Sequence, residues 1–363
     1  MSNSNAEFVV GMDLSDKKIS VCVLDAAGEV VRRQTVPNDQ DGVTGALASF
    51  AERERVTVVL ETGSHSRWVS QLAQALGFRV LVGDARKLRA IWAADNKQDV
   101  RDAEMLARLA RFDAKLLSPI TPRGEAAHLD LAVVKARDLV VEIRTKLVNF
   151  VRGTLKCVGV ALPSCSTEAF VKVVQEKNTE ALLWPALTPV LTVIATLTAQ
   201  IREYDRELER LAAEKYPQTE RLRQVTGVGP VTSLAYVLTL DRPERFVKSR
   251  DVGPYLGLVP RRDQSGEADK PLGITKAGNS LLRRLLVNAA AYILGPFGPD
   301  CDLRRHGERV ASRGGKVAKR KARVAVARKL AVLLHHLWQT GEEYVPLRHA
   351  PRNVTPETTP HND

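Results

Sequence analysis

Four carboxylates in the first third of this chain are spaced for shared chemistry. Asp13 closes an apolar run at residues 8–12, Glu61 closes a second at 56–60, and Asp99 and Asp102 follow at helical spacing. A carboxylate directly after a buried strand comes out at the sheet's edge, where it can meet solvent and a cation; fully buried, its charge would be prohibitive. Residues i and i+3 share one face of a helix, so Asp99 and Asp102 can act together. Four acids in one pocket repel one another unless cations neutralise them, and oxygen donors with no cysteine nearby favour Mg²⁺ or Mn²⁺. Two such ions roughly 3.5–4 Å apart stabilise both the attacking and the leaving oxygen of a phosphodiester transfer. The competing reading is four ordinary surface charges among 42 acids.

The elements that must hold these acids follow from hydrophobic period. Residues 8–12 and 19–24 predict core strands joined by the turn-prone Ser15-Asp16-Lys17-Lys18, and Ala26-Ala27-Gly28-Glu29 leads into a third strand at 30–36. A helix over 42–55, a strand over 56–60, a helix over 66–76 and a strand over 78–82 come next. If the fourth strand lies parallel beside the first, a right-handed crossover brings Asp13 and Glu61 to the same sheet end. Residues 97–111 predict a helix packed through Ala103, Leu106, Ala107 and Ala110.

Charge points to the partner. Lys and Arg number 54 against 42 acids, a net +12, with a pI near 9.7, so phosphate is the expected ligand and nucleic acid the expected substrate. At 363 residues and 44% hydrophobic, the chain can build two or three cored domains. Cys22, Cys157, Cys165 and Cys301 form no C-x-x-C pair and no zinc spacing, which predicts reduced core thiols in a cytosolic protein. Residues 1–7 are polar and lack a signal-peptide apolar region.

Residues 181–201 carry no formal charge over nearly a bilayer's length, but Pro185, Pro189, four threonines and Gln200 make a poor anchor. The steps Leu187, Leu191, Ile194, Leu197, Ile201, Tyr204, Leu208 and Leu211 are a coiled-coil seam instead. An earlier helix over 129–155 has a matching stripe through Leu139, Ile143, Leu147, Phe150 and Val151. The two can pair as an internal hairpin or serve as a dimerisation arm.

In the last third, Val225-Thr226-Gly227-Val228-Gly229-Pro230 precedes an apolar helix at 231–238. Gly227 and Gly229 resemble the hairpin of helix-hairpin-helix modules, whose backbone N–H groups receive a phosphate without reading bases; a plain turn explains them nearly as well. Gly257-Leu258-Val259-Pro260 then leads into a polar, glycine-rich loop bearing Gln264-Ser265-Gly266, flanked by Arg261, Arg262, Lys270 and Lys276. Such cations around a small hydroxyl suit a phosphate pocket. Ile274-Thr275-Lys276-Ala277-Gly278-Asn279 follows, with Ser280 as the expected cap of a helix over 281–294. Residues 303–330 hold eleven Lys or Arg, among them Arg313, Lys316, Lys319, Arg320, Lys321 and Arg323, against one acid, Glu308. We read them as a nucleic-acid grip broken at residues 312–316. Four Trp and six Tyr in the whole chain favour backbone contact over base stacking. A helix over 324–338 follows, His335 and His336 read as structural or exposed, and residues 346–363 read as a disordered, proline-rich tail.

The Gly-Leu-Val-Pro, Ser-Gly and Ile-Thr-Lys-x-Gly-Asn motifs, with Gly-x-Gly-Pro upstream, resemble the C-terminal domain of the bridge-RNA-guided insertion-sequence recombinases, also called DEDD transposases. The N-terminal half resembles that family's RuvC-like domain. The resemblance spans residues 8–344 and implies an RNase H-like α/β domain over 6–115, a helical coiled-coil arm over 125–215 and a mostly helical serine-bearing domain over 216–345. It places the family's metal-binding acids on Asp13, Glu61, Asp99 and Asp102 and its nucleophilic serine on Ser265. It implies excision and insertion of a mobile element through a covalent phosphoserine intermediate, with Mg²⁺ (or Mn²⁺), DNA, a structured guide RNA and a homo-oligomer, dimer or tetramer, as partners, in the cytoplasm at the nucleoid. Two alternatives stay open: a RuvC-like junction resolvase that uses water, and an actin-like kinase or ATPase, whose first strand and hairpin open in the same way.

Overall fold

The computed structural model describes residues 8–85, 87–88, 99–177, 183–265 and 268–348, with only the backbone at residues 100, 262–265 and 268–271. The chain divides into two compact units, Met1–Pro122 and Arg123–Asp363.

The first unit is built on a five-stranded sheet: β1 (Phe8–Leu14), β2 (Lys18–Leu24), β3 (Val30–Pro37), β4 (Val56–Glu61) and β5 (Arg79–Gly83), in spatial order β3-β2-β1-β4-β5. β1, β2 and β3 form an antiparallel meander, while β4 and β5 run parallel to β1. That is the arrangement expected of the five apolar runs, including the parallel β1–β4 pair on which the placement of Asp13 and Glu61 depends.

Both sheet faces are covered, so β1, β2 and β4 read as nearly continuous apolar runs. On one face Val10, Met12, Val58 and Leu60 pack with α1 (Gln40–Leu47) and α2 (Ser66–Ala75) through Val43, Leu47, Val69 and Ala73. On the other, Val9, Cys22, Leu24 and Val59 pack with Ala103, Leu106, Ala107 and Ala110 of α3 (Asp99–Asp113). Gly11 makes that second contact possible: a Cβ there would lie 2.0 Å from the Ala103 carbonyl oxygen. The start of the helix expected over 97–111, residues 97–98, lies outside the described residues.

The helix expected over 42–55 is shorter. The Asp39 carboxylate accepts from the Gly42 N–H and starts α1, which ends at Leu47; a separate single turn covers Arg53–Arg55. The charged run Glu52-Arg53-Glu54-Arg55 offers no apolar stripe to bury, so the helix has nothing to continue against.

The second unit begins with α4 (Glu125–Cys157), which returns through α5 (Phe170–Glu176) to α6 (Trp184–Lys215). α4 and α6 are antiparallel neighbours: Arg137 binds Asp205 at 2.9 Å, and Arg144, further along α4, meets Thr198, earlier on α6, at 3.3 Å. Val151, Leu155, Phe170, Leu187, Leu191 and Ile194 close a separate small core at one end of the pair. α6 is long and apolar enough to cross a bilayer by length and composition, yet its seam of Leu187, Leu191, Ile194, Ile201, Leu208 and Leu211 is buried.

The main core of this unit joins α7 (Gln218–Arg223), α8 (Pro230–Leu240), α9 (Ser280–Ile293), α10 (Asp302–Ala311) and α11 (Gly315–Thr340). Two antiparallel strands, β6 (Pro260–Ser265) and β7 (Ala268–Ile274), project between α8 and α9 in the chain. The break expected at residues 312–316 separates α10 from α11. Asn279, not Ser280, caps α9: its side-chain oxygen accepts from Leu282 N–H at 2.9 Å, and Ser280 is already the first helical residue. Cys22 and Cys301 are buried free thiols as expected, but Cys157 is exposed at the C-terminus of α4. Of the proline-rich tail, residues 349–363 lie outside the described residues.

Candidate active site

Register decides where the first two acids point. Met12 of β1 pairs with Leu60 of β4, so Asp13 and Glu61 stand one step further on neighbouring parallel strands, about 4.8 Å apart in backbone. Side chains alternate across a strand. Met12 and Leu60 enter the core beneath α1 and α2, and Gly11 and Val59 face α3. Asp13 and Glu61 therefore share the α3 face, both half-buried.

α3 supplies the other two. Its Ala103 lies over Gly11 while Leu106, Ala107 and Ala110 pack toward Val9 and Leu24, so the helix starts beyond Gly11, at the end of β1 that carries Asp13. Asp99 precedes Ala103 by four residues and Asp102 precedes Leu106 by four, which puts both acids on the sheet-facing side of the first turn. The topology thus brings all four carboxylates to one end and one face of the sheet.

Among the described residues, no three His, Cys, Asp or Glu side chains gather as a group that could hold an ion in this conformation. Asp99 turns instead to Lys18, whose ammonium lies 3.3 Å from its carboxylate. That pair is solvent-exposed and contributes little, so a divalent ion that takes Asp99 displaces only a weak contact. Carboxylate oxygens at a sheet end and in a helix's first turn are hard donors, the kind that would suit Mg²⁺ or Mn²⁺.

Three neighbours were not singled out from the sequence. Gly11 sets the approach of α3, and its signal is a glycine inside an apolar strand. Lys18 sits in the turn region read only as a connector. His65, on the loop after Glu61, meets Asp16 at 3.2 Å and accepts from the Trp68 indole N–H at 3.3 Å. On the outer side of α3, Glu104 binds Arg33 at 2.7 Å and Arg108 at 2.8 Å, and the Arg33 hydrogen bond holds its carboxyl below the usual range.

Ser265 lies on a hairpin rather than in an open loop. It is the last residue of β6 and pairs in register with Ala268 of β7, across residues 266–267, which lie outside the described residues, as does the Ser265 side chain. The base of this hairpin is clamped. Arg283 donates to the carbonyl oxygens of Leu256 at 3.0 Å and Ala277 at 2.6 Å, and Thr275 N–H donates to Val259 O at 3.0 Å. Gly257 and Gly278 have φ of 67° and 69°; a Cβ on Gly257 would lie 2.2 Å from Ala277 N and one on Gly278 2.1 Å from Tyr255 O. Lys276 itself takes φ 55°, an uncommon backbone for a residue with a side chain.

Of the expected phosphate-binding residues, Arg261 and Lys276 are exposed, and the Arg262 side chain lies outside the described residues. Arg313, Lys316, Lys319, Arg320, Lys321 and Arg323 are all exposed at the start of α11 and the break before it, while Ala318 and Ala322 are buried behind them. Gly227 has φ 84° in the turn between α7 and α8, and Gly229 precedes the first helical residue, Pro230. His335 is fully buried between Ser249 and the Pro243 carbonyl, each at 2.9 Å, which settles it as a structural histidine.

Comparison with known proteins identifies the family. Residues 10–159 match the family model for DEDD transposases of the IS110 type, described as a transposase, and residues 219–299 match "Transposase IS116/IS110/IS902 family". The chain is 26% identical over 293 residues to the transposase for insertion sequence element IS1111A of Coxiella burnetii, covering 79% of this chain and 78% of that one. It is 27% identical over 284 residues to the transposase for IS1328 of Yersinia enterocolitica, covering 78% and 82%. With both of its units matched by models of one family, together spanning more than half its length, the chain belongs to the IS110/IS116 family of DEDD transposases.

Proposed function

We propose that this transposase cuts and rejoins DNA by dividing the work between a RuvC-like acidic domain and a serine hydroxyl. The reading is supported by the topology, in which Asp13 and Glu61 end neighbouring parallel strands on the sheet face that α3, with Asp99 and Asp102 in its first turn, covers. Mg²⁺ held by these four acids would supply electrophilic help to the scissile phosphate and to the departing oxygen. The chain's own groups do the rest. Asp13 and Glu61 fix the donor geometry from the sheet, and Asp99 and Asp102 close it from the helix.

Ser265 is the proposed nucleophile. Its Oγ forms a bond to phosphorus, the bond from phosphorus to one deoxyribose oxygen breaks, and that oxygen takes a proton as the serine gives one up. A hydroxyl of the new partner strand then attacks phosphorus and returns Ser265 to its free form, so no bond energy is lost between cutting and joining. Arg261, Arg262 and Lys276 neutralise phosphate near the hairpin. The exposed cations from Arg313 to Arg323 and the helix-hairpin-helix-like Gly227–Gly229 turn grip nucleic-acid backbone.

Target choice is assigned to a structured guide RNA, on the strength of the C-terminal motifs and the basic surface. A homo-oligomer is supported by α4, where Leu129, Leu139, Ile143 and Phe150 stay exposed at near-heptad steps after α6 has covered the other side. The protein is assigned to the nucleoid by its DNA substrate.

The test is covalent capture. Incubated with element-end DNA and Mg²⁺, the protein is expected to form a denaturation-resistant adduct on the peptide holding Ser265, and Ser265→Ala to form none. An adduct of normal yield in Ser265→Ala sinks the serine mechanism and leaves the water-using nuclease as the better reading.

A further inference from the structure

A cavity of about 1300 Å³ in the second unit lies against the base of the β6–β7 hairpin, between α10, α11 and the segment that follows α11. Its floor is apolar, with Leu258, Ile274, Leu303, Val324 and Val332 among the lining residues. Arg320, Lys321 and Lys329 line it from α11, all exposed, and Arg348 closes the rim while bound to Glu342 at 2.9 Å. Asp302 is the one carboxylate in the lining among the described residues. His306, His336 and Tyr344 bring three flat rings to the same space. Burial and the nearby Lys329 and Arg309 push the His306 imidazole below its ordinary value, so this ring stays neutral at physiological pH.

An occupant of such a site is anionic along one edge and flat and apolar along the other. That describes unpaired nucleotides with their bases turned inward and phosphates on the cationic rim. A duplex hides its base faces and cannot enter. The volume takes roughly two or three nucleotides, each comparable to a small drug molecule. The scarcity of Trp and Tyr favoured backbone contact alone, but rings from α10, α11 and the segment beyond it line one cavity, a grouping that no short stretch of sequence displays.

We propose that this cavity binds a short unpaired stretch of DNA strand beside the serine hairpin. The inference rests on the strand-exchange reading above: a strand end that changes partners must first leave its own duplex, and the released bases need shelter. DNA is chosen over RNA because the family acts in transposition and the cavity borders the hairpin assigned to DNA cutting.

The test uses the full chain in EDTA, so it needs neither metal nor serine chemistry. An eight-nucleotide oligo(dT) carrying 5-iododeoxyuridine is crosslinked to the unaltered protein, and the modified peptides are identified by mass spectrometry. Crosslinks are expected on the peptides holding His306, His336 or Tyr344. Ala325→Trp, which places an indole inside the cavity, and Lys329→Glu, which reverses a charge in its lining, are each expected to weaken oligo(dT) binding about tenfold while duplex affinity stays within about twofold. Crosslinks confined to other surfaces, undiminished oligo(dT) binding in Ala325→Trp, or a clear preference for oligo(rU) would each overturn the proposal. If duplex binding survives such a result, the cavity assignment alone fails. If the protein binds no DNA of any kind, the strand-exchange reading fails with it.

Discussion

The acid-bearing unit and the serine-bearing unit hold the groups proposed for chemistry by different means. In the first, the positions of Asp13 and Glu61 follow from strand register, and those of Asp99 and Asp102 from a helix seated against Gly11. In the second, Ser265 stands at the end of a two-stranded hairpin anchored at its base, where Arg283 and two left-handed glycines lock residues 255–257 to 277–278. A metal site needs ligands held to a few tenths of an ångström, which a covered sheet provides. A nucleophile that meets and then releases a strand is better carried on an extension.

This contrast is open to attack, starting with the largest expected effects. Asp13→Asn should abolish strand cutting in Mg²⁺ while leaving DNA affinity unchanged in a filter-binding assay. Cleavage at the normal rate would show that the acids are misassigned. Gly11→Val comes next. Its side chain collides with the Ala103 carbonyl, so the first unit should lose roughly 3 kcal/mol in a denaturant titration, with a smaller change in the transition of the second unit.

The hairpin base is expected to fail more gently. Arg283→Met removes two bonds to backbone carbonyls and should cost roughly 1–3 kcal/mol. Adduct formation should fall while Mn²⁺ binding by the acids is untouched. Equal loss of both would erase the distinction between the units.

Acid sensitivity separates the units again. Burial pushes the His335 imidazole below its ordinary value of 6.5. Its unfolded form therefore takes up a proton before its folded form does, so stability is full above about pH 6.5 and falls as the pH drops through the folded value. Melting followed from pH 7.5 to 5 should show this loss in the second unit, and His335→Gln should flatten the slope. The smallest effect is at Lys18: Lys18→Ala frees Asp99 and should lower the Mg²⁺ concentration needed for cutting by about two- to fivefold.

Much of the first unit was legible because its strands are buried on both faces and read as unbroken apolar runs, as Val56-Thr57-Val58-Val59-Leu60 does. The placement of the four acids on the fold was legible for the same reason, since each closes such a run or shares a helix face. The end of α1 was not, because nothing local separates a helix that stops at Leu47 from one that runs on to Arg55. The hairpin carrying Ser265 was hidden by composition: Arg261-Arg262-Asp263-Gln264 has no apolar alternation, and its pairing comes from a partner strand with Pro271 and Gly273 in it. Asn279 and Ser280 are both good caps side by side, and only backbone geometry chooses between them. The cavity beside the hairpin draws on residues from 258 to 348 and has no linear signature at all.

The central claim is that four carboxylates at one sheet end hold the divalent ions used in DNA cutting. Crystals grown with Mn²⁺ test it most directly, through anomalous difference density collected at the manganese edge. Density within ligand distance of Asp13 and Glu61, with Asp99 turned away from Lys18 to join them, is the predicted result. Manganese bound only elsewhere, with Asp99 still paired to Lys18 at full metal concentration, would contradict it.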